Sequence, residues 1–520
     1  MKLGGVLLVG FEDQENLGLR YIAAFLKRKK IRFKIKAFQY HNKEEILRSV
    51  KSEKPKIVGF SLIFQRMFDD FKALMVYLRE NDVNCHFTMG GHFPSLSAYK
   101  TLDLIPELDS VVRFEGEKTL LELYRRIDDR DSWDNLKGIA YRNNGKIHIN
   151  TPRPLITDLD SLPFPFRSQE RPAHRDIGIN SILGSRGCFY DCSFCSIHQF
   201  YKEPPGPMRR TRSPGNIIKE MEGLYYEKGI RVFIFQDDEW FMKGNHHIQW
   251  IENFVSELKK SPICHEILWR ISCRVDDVDS VLLKKMKDVG LMCVYMGIES
   301  GNNQGLKTFN KHYEVDDIFR ALDMLSEIEM PFEFGFMIFD PGSTFESLGE
   351  NIRFLEKITE GGQAVAHFSK MVPYAGTTIA EELERQGKLK GNIGSPDYGY
   401  EDDRLNLLQF FSSKVFNYRN FSKEGLVERL RVAKFDSMIL NKFFSDKYNV
   451  SQYDERLRDL IRRSNDSALE TLNMALNFMK ERNEDEIYSD WILLEQIAEN
   501  ERFREANIIT ELNNLEYDFE

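Results

Sequence analysis

Two separate parts of this sequence, residues 1–130 and 179–378, alternate short apolar runs with stretches of helical spacing. Strand–helix alternation predicts parallel sheets covered by crossover helices, so we expect an α/β fold. The polar stretch between the two parts contains five prolines: Pro152, Pro154, Pro163, Pro165 and Pro172. Such proline density disfavours regular structure. We therefore predict a first domain at 1–130, a linker at 131–178 and a second domain at 179–378.

The first part contains five strand candidates: Val6–Val9, Arg32–Phe38, Ile57–Leu62, Cys85–Met89 and Val111–Phe114. Ligands of open parallel sheets bind beyond the carboxyl ends of the strands. Four loops at those ends are therefore candidate ligand loops: Phe11–Gly18, Ser61–Arg66, Gly90–Ser97 and Glu115–Thr119.

The second part contains six strand candidates: Asn180–Leu183, Val232–Gln236, Leu268–Cys273, Met292–Gly297, Phe332–Phe339 and Val365–Met371. Six strand–helix units in about 200 residues fit a partial barrel with an open side. Residues 379–520 have a mostly helical pattern and form the predicted third domain.

Charge and hydropathy exclude two classes of partner. The chain has 72 basic and 81 acidic residues, a net charge of −9, whereas nucleic-acid-binding domains usually carry a basic excess. No run approaches the 18 or more apolar residues of a membrane span, and the first residues lack a signal-peptide pattern. Seven cysteines, an odd number, argue against a disulfide framework, so we expect a reducing, cytoplasmic location.

Three of the seven cysteines, Cys188, Cys192 and Cys195, fall within eight residues with the spacing C-x3-C-x2-C. Soft thiolates select zinc or iron–sulfur clusters. A structural zinc ion needs four ligands, which leaves a Cys3His site with His198 as one alternative. Buried, unreactive cysteines are another alternative, although core cysteines rarely crowd in this way. The spacing favours a [4Fe–4S] cluster with three protein ligands and one open iron.

This cysteine motif, directly after the first barrel strand, resembles that of the radical S-adenosylmethionine (SAM) superfamily. The aromatic Phe194 before the third cysteine agrees with the family pattern. Weaker similarities follow in chain order at the later strands: Phe235–Phe241, Arg270–Val275, Gly297–Gly301, Phe334–Gly342 and Val372–Thr378. The resemblance covers about residues 179–378 and implies a partial (β/α)6, TIM-like barrel.

The resemblance implies that the open iron chelates the amino and carboxylate groups of SAM. An electron from a reductase, flavodoxin or ferredoxin would cleave SAM to methionine and a 5′-deoxyadenosyl radical, which abstracts hydrogen from the substrate. The residues expected to contact SAM are Phe194, Asp238, Arg274, Glu299 and Ser300. Asp237 and Asp238 would orient SAM or the substrate, or simply cap the next helix.

The first domain resembles the Rossmann-like, cobalamin-binding domain that precedes the barrel in one subclass of radical SAM enzymes. The similarity rests on Asn16–Leu19, Val58–Ser61, Gly90–Pro94 and Val112–Glu117. It implies cobalamin contacts at five positions: Ser61, Gly90, Gly91, Gly116 and Glu117. Glycines at 90 and 91 would let a long ligand tail approach the backbone closely.

One departure concerns the lower cobalt ligand. The loop Gly10–Gly18 lacks the histidine that supplies this ligand in other cobalamin domains. Gln14, or a residue near Phe64–Arg66, would then lie beneath the cobalt, whereas His92 is on the wrong loop. An alternative is a domain that has lost cobalamin and serves only as a scaffold.

We therefore predict a cobalamin-dependent radical SAM enzyme that methylates an unactivated carbon of a small molecule or peptide, as class B methyltransferases do. One SAM would supply the methyl group through cobalamin, and a second would supply the radical. One alternative is ring formation, ring contraction or oxidation without methyl transfer, and another is a non-catalytic corrinoid or iron–sulfur protein. No cysteine follows Cys293, which excludes auxiliary clusters in the C-terminal region. The sequence assigns no residue to catalysis on the substrate itself.

Overall fold

The computed structural model of the chain describes residues 4–12, 15–168 and 173–519. The strands in these ranges are β1 Val6–Gly10, β2 Phe33–Ala37, β3 Ile57–Ser61, β4 His86–Gly90, β5 Ser110–Val112, β6 Ile139–Asn143, β7 Lys146–Ile149, β8 Ala173–His174, β9 Ile177–Ile182, β10 Ser185–Arg186, β11 Arg210–Thr211, β12 Ile230–Phe235, β13 Leu268–Cys273, β14 Leu291–Glu299, β15 Phe332–Phe339, β16 Ser369–Lys370, β17 Leu389–Gly391 and β18 Pro396–Tyr398.

The helices are α1 Leu17–Arg28, α2 Lys43–Glu53, α3 Phe68–Glu80, α4 His92–Leu96, α5 Ala98–Leu104, α6 Gly116–Arg126, α7 Ser196–Lys202, α8 Pro214–Lys228, α9 Asn245–Lys260, α10 Ser280–Lys287, α11 Asn303–Thr308, α12 Val315–Glu327, α13 Phe345–Thr359, α14 Thr378–Arg385, α15 Asp403–Phe421, α16 Leu426–Phe443, α17 Val450–Lys480, α18 Glu484–Ser489 and α19 Trp491–Asp518. No helix in the described part of the chain is long and apolar enough to cross a membrane.

The chain forms two compact units. The first, called the N-terminal unit, comprises Met1–Trp240, Ser256–Ile263 and Val372–Tyr398. The second, called the C-terminal unit, comprises Phe241–Val255, Cys264–Met371 and Gly399–Glu520. These units group the chain differently from the predicted boundaries at 130, 178 and 378, and those boundaries stay a prediction.

The first sheet has the strand order β2-β1-β3-β4-β5-β6-β7. Strands β1–β5 pair in parallel, as the alternation predicts, and β1 is buried along its whole length because helices cover both faces. The register places Gly10, Ser61 and Gly90 side by side at the carboxyl ends of β1, β3 and β4. This edge of the sheet therefore assembles the predicted ligand loops.

The linker predicted at 131–178 was expected to lack regular structure, and this expectation was wrong. Strands β6 and β7 form an antiparallel hairpin within it and extend the first sheet. Asn144 and Gly145 take the two positive φ values, 47° and 74°, that a tight hairpin turn requires. The prolines all lie beyond this hairpin, so they do not interrupt it.

The second sheet has the strand order β16-β15-β14-β13-β12-β9-β8. From β9 to β16 the strands of this sheet are arranged in chain order, as in a partial barrel. The pairs β9–β12, β13–β14, β14–β15 and β15–β16 are parallel. Strand β16 has two residues instead of the seven predicted. Side chains of helices bind the backbone before β16 instead. Asn465 accepts from the Ala366 N–H, and Arg419 donates to the Ala366 carbonyl. Asn420 donates to the Phe368 carbonyl.

The predicted helical region contains α15–α19 and, before them, the small hairpin β17–β18. A polar cluster is buried between α15, α17 and α19. Arg419 on α15 lies 3.5 Å from Glu505 on α19, and Glu501 accepts hydrogen bonds from Ser467 at 2.5 Å and Thr471 at 3.0 Å. Buried charges are costly unless they are paired in this way.

Glu505 should make the stability of the C-terminal unit depend on pH. Burial raises its pKa from 4.5 to about 7, although the charge of Arg419 opposes this and the charge of Glu501 adds to it. Between pH 4.5 and about pH 7 the folded state therefore retains a proton that the unfolded state has lost. The stability that this group contributes is full below pH 4.5 and is lost as pH rises through 7. We expect an effect of about 1–3 kcal/mol.

The test compares melting temperatures of the wild type and Glu505→Gln between pH 5 and pH 8. The variant cannot titrate at this position, so its melting temperature should rise relative to the wild type as pH increases. Glu511→Gln, which alters an exposed glutamate of the same helix, is the control. Parallel curves for Glu505→Gln and the wild type would contradict the assignment.

Candidate active site

The three clustered cysteines lie on one loop of the N-terminal unit, between β10 and α7. All three are half-buried. The Cys195 N–H donates to the Cys192 carbonyl at 3.1 Å, which closes a turn, and Cys195 then precedes the first residue of α7. Phe194 is half-buried in the same turn. The loop, called the cysteine loop here, thus presents three thiols that remain reachable.

Two aspartates at the end of β12 hold the backbone just before the first cysteine. Asp237 accepts from the Gly184 N–H at 3.0 Å and from the Ser185 hydroxyl, and burial raises its pKa to about 6. Asp238 accepts from the Gly187 N–H at 2.7 Å. The sequence suggested that these aspartates orient SAM or cap a helix. In the structure Asp238 holds the first residue of the cysteine loop and Asp237 holds the backbone directly before it, contacts that the sequence analysis missed.

The far side of the cysteine loop is held by a segment that is distant in sequence. The Ser193 carbonyl accepts from the Ile379 N–H and from the Thr378 hydroxyl, both at 3.1 Å. These donors begin α14, directly after the predicted sixth-strand motif. The cysteine loop therefore has fixed backbone on both sides of its thiols.

The donor set fits an iron–sulfur cluster better than a single metal ion. Among the described residues, no three or more His, Cys, Asp or Glu side chains are arranged to hold one metal ion. Each cysteine of a [4Fe–4S] cluster binds a different iron, so its thiols need not converge on one point. The zinc alternative gains no support, and the His198 Nδ1 lies 3.1 Å from the Tyr190 carbonyl.

A cavity of about 300 Å³ lies at the carboxyl ends of β1, β3 and β4. It brings together all five residues predicted to contact cobalamin: Ser61, Gly90, Gly91, Gly116 and Glu117. Gly91 has φ of 120°, and a Cβ atom there would overlap the Leu62 carbonyl oxygen, so only glycine fits. A Cβ atom at Gly59, which also lines the cavity, would lie 3.3 Å from Leu8. These narrow, backbone-lined walls fit an elongated ligand tail.

One wall of the cavity consists of buried ion pairs. Glu117 accepts from Arg186 at 2.7 Å, so its carboxylate already has a protein partner. Glu115 accepts from Arg186 at 3.2 Å, from Arg210 at 2.8 Å and from the Ile156 N–H at 2.7 Å. Burial alone would raise the pKa of Glu115, but these two guanidinium groups hold it below its usual value.

The candidates for a position beneath the cobalt differ in their surroundings. Gln65 is buried, and its side-chain amide is already hydrogen-bonded within the protein. It donates to the Ile393 carbonyl at 2.6 Å and accepts from the Ala375 N–H at 3.0 Å. Phe64 and Arg66 are exposed, whereas Gln14 lies outside the described residues. His92 lines the cavity, and its ring packs edge to face with the ring of Phe200, with 4.5 Å between the ring centres.

The remaining residues predicted to contact SAM belong to the C-terminal unit. Glu299 ends β14 with φ of 68°, and burial raises its pKa. Its carboxylate lies 3.8 Å from the ammonium group of the buried Lys311. Gly297 leaves room for this carboxylate, because a Cβ atom there would lie 2.6 Å from the Glu299 Oε1 atom.

Arg274 is near this pair, whereas Ser300 is turned away from it. Arg274 donates to the Lys311 carbonyl at 2.6 Å and to Asp276 at 2.9 Å. Ser300 is fully buried, and its hydroxyl bonds Asn351 at 3.3 Å. Lys311 was missed because a lysine beyond a helix gives no sequence signal of burial, and the contacts of Ser300 point to a structural role.

Two family models match this chain. The B12 binding domain matches residues 5–124, and the Radical SAM superfamily matches residues 182–355. The chain belongs to the radical SAM enzymes with a B12-binding domain. The predicted fold class is thereby confirmed: a B12-binding domain, a half-barrel radical SAM domain and a helical C-terminal region.

Similar proteins include both methyltransferases and cyclases. An uncharacterized methyltransferase of Pyrococcus horikoshii is 28% identical over 340 residues, which are 65% of this chain and 71% of the relative. The anaerobic magnesium-protoporphyrin IX monomethyl ester cyclase of Cereibacter sphaeroides is 26% identical over 67% of this chain and 56% of its own length. The structure of the cobalamin-dependent radical SAM enzyme OxsB with aqua-cobalamin is similar in fold, with a TM-score of 0.70, 18% identity and coverage of 99% of this chain and 81% of that one.

This radical SAM enzyme therefore uses a [4Fe–4S] cluster, SAM and cobalamin, as predicted. The cluster supplies the electron that cleaves SAM, and cobalamin, when bound, supplies methyl-group or redox chemistry. Cys188, Cys192 and Cys195 are the residues that would hold the cluster. The cavity residues around Ser61 and Gly90 would hold the cobalamin tail. Which residues contact SAM stays a prediction.

Proposed function

We propose that this enzyme methylates an unactivated carbon atom of a small-molecule or peptide substrate. One observation carries the proposal. Asp238 lines the cobalamin cavity and also binds the Gly187 N–H at the start of the cysteine loop. The likeness to a named methyltransferase supports this choice of reaction.

The residues around this cavity would keep water from a reactive radical. Leu183, Phe200 and Tyr201 line it beside the ion pairs of Arg186. Exclusion of water limits side reactions of the radical and strengthens electrostatic contacts in the site. Asp237 and Asp238 would keep the cysteine loop in place while the substrate binds.

Ring formation without methyl transfer is the second candidate, since one relative is named a cyclase. Both reactions need the same cofactors, but only methyl transfer converts SAM to S-adenosylhomocysteine. The two candidates therefore differ in a product that can be measured before the substrate is known.

The test incubates reconstituted, cobalamin-loaded enzyme with SAM and a strong reductant under anaerobic conditions. We expect 5′-deoxyadenosine and, in the first turnover, about one S-adenosylhomocysteine per bound corrinoid. Ser61→Trp, which fills the cobalamin cavity, should give 5′-deoxyadenosine alone. If the wild type forms no S-adenosylhomocysteine, the methylation proposal fails and the cyclase-type reaction replaces it.

We also propose that a reduced flavodoxin or ferredoxin, or a reductase, supplies the electron, and that the enzyme works in the cytoplasm. The odd number of cysteines, seven, agrees with a reducing compartment.

A further inference from the structure

The cavity at the carboxyl ends of the first sheet continues inward between that sheet and the helices α1 and α6. Leu8, Gly59 and Thr88 line it and lie side by side on β1, β3 and β4. Each of the three lies two residues before the last residue of its strand and on the same face, so this row is about 7 Å deeper than the strand ends.

Apolar side chains form the other walls at this depth. Four residues of the cavity wall also belong to the apolar core between the sheet and the two helices, or pack against it: Leu8, Leu19, Ile22 and Leu120. The helices approach closely here, because a Cβ atom at Gly116 would lie 3.1 Å from the Ile22 Cδ1 atom. The part of the cavity that is lined by Leu8, Ile22, Gly59, Thr88 and Leu120 is called the inner end.

The hydroxyl group of Thr88 is already engaged within the protein. It accepts from the Ser110 hydroxyl at 2.8 Å and donates to the Ser110 carbonyl at 3.3 Å. The His86 Nε2 atom lies 2.8 Å from the same Ser110 hydroxyl. A Cβ atom at Gly59 would lie 3.9 Å from the Cγ2 methyl group of Thr88. Thr88 therefore turns its methyl group toward Gly59 and its hydroxyl toward β5.

The backbone at the inner end is engaged as well. Strand β3 pairs with β1 on one side and with β4 on the other, so the amide and the carbonyl of Gly59 belong to these ladders. Polar residues elsewhere in the cavity wall, such as Ser61, His92 and Glu117, lie at the end of a strand or in the first turn of a helix. Among the described residues, the inner end thus offers a ligand apolar atoms and no free hydrogen-bonding side chain.

Such a surface discriminates between the nucleotide bases that corrinoid cofactors carry on their tails. The outer ring of dimethylbenzimidazole, the base of cobalamin, is built of carbon atoms, whereas the outer ring of adenine carries two nitrogen atoms and an amino group. Burial of these polar atoms without partners costs free energy that the apolar ring does not lose. A binding site can reject a ligand by this cost alone.

We propose that the inner end selects the corrinoid by its nucleotide base and favours dimethylbenzimidazole over adenine. Ile22 and Leu120 would cover one face of the outer ring, and Gly59 would leave the sheet flat beneath the other face. The proposal rests on the assignment of cobalamin to this cavity and does not depend on methyl transfer.

The experiment titrates the oxidised, cluster-loaded, corrinoid-free enzyme with three corrinoids in their aquo forms and follows binding by absorbance. The three probes are cobalamin, adeninylcobamide and cobinamide, which lacks the nucleotide. We expect the wild type to bind cobalamin at least about tenfold more tightly than adeninylcobamide, because the amino group and ring nitrogens of adenine stay without partners.

Two variants of Ile22, which is only partly buried, test the inner end itself. Ile22→Asn places an amide there and should reduce the preference to about threefold or less, because the polar base then has a partner. Ile22→Leu, the matched control, keeps the wall apolar and should retain the preference. Cobinamide should bind to the wild type and to both variants equally, since it has no base to bury.

Similar affinities of the wild type for cobalamin and adeninylcobamide would overturn the proposal, and so would an unchanged preference in Ile22→Asn. Weaker binding of cobinamide to Ile22→Asn would place this residue at the corrin ring and would overturn it too. Iron content and melting temperature establish that each variant is folded, and the wild-type ratio decides if Ile22→Asn is not. The titrations need neither SAM nor turnover, so a failure of methyl transfer leaves their results unchanged.

Discussion

Replacing Cys192 by alanine should abolish SAM cleavage and lower the iron content of the reconstituted enzyme. Cys192 is the central thiol of the cysteine loop, and its carbonyl also accepts the bond that closes the turn to Cys195. A cluster with three protein ligands that loses one is left with too few thiolates. We expect 5′-deoxyadenosine formation to fall by a factor of about 10⁴ or more, to the uncatalysed background.

Cys85→Ala is the matched control, because Cys85 is also a half-buried free thiol of the N-terminal unit. It packs against the core of the first sheet and should leave about four irons per chain. Iron is counted after anaerobic reconstitution, and 5′-deoxyadenosine is measured with a chemical reductant. Retained cleavage in Cys192→Ala would refute the assignment of the cluster to these cysteines.

Replacing Ser61 by tryptophan should remove cobalamin and leave the cluster intact. Ser61 ends β3 at the cavity, beside Gly10 and Gly90 in register. A large ring at this position would occupy the space left by the neighbouring glycines. We expect the corrinoid content to fall at least about tenfold, which corresponds to about 1.4 kcal/mol of lost binding free energy.

The variant Ser61→Ala distinguishes the effect of a larger side chain from the effect of losing the Ser61 hydroxyl. The Ser61 hydroxyl accepts only a long bond, 3.4 Å, from Asn16, so its removal should change the corrinoid content little. Corrinoid is measured by absorbance after cobalamin loading, and an unchanged iron content establishes that the cysteine loop is folded. A wild-type corrinoid content in Ser61→Trp would mean that cobalamin binds elsewhere.

The sequence predicts those parts of the fold that depend on local pattern. The bounds of β13 and β15 agree with the apolar runs, because both strands are buried and end at polar or glycine-rich loops. The five residues predicted to contact cobalamin line one cavity, because the carboxyl ends of parallel strands lie along one edge of the sheet. The cysteine motif is recognisable because its spacing reflects ligand chemistry.

The parts that the sequence does not predict depend on partners far along the chain. Strand β16 is short because helices more than 50 residues away bind the backbone before it. Asp237 and Asp238 bind the backbone at Gly184 and Gly187, about 50 residues earlier. The burial of Lys311 follows from tertiary packing, which periodicity does not encode.

The two bonds that Ser193 accepts from Thr378 and Ile379 have a consequence for biosynthesis. A ribosome releases the cysteines long before it makes the residues that complete their loop, 185 positions later. Gln65 must likewise await Ala375 and Ile393. A nascent chain that stops before residue 378 therefore carries thiols on an unfinished loop. The hydrogen bonding of the cysteine loop is therefore complete only after residue 379 has been synthesised.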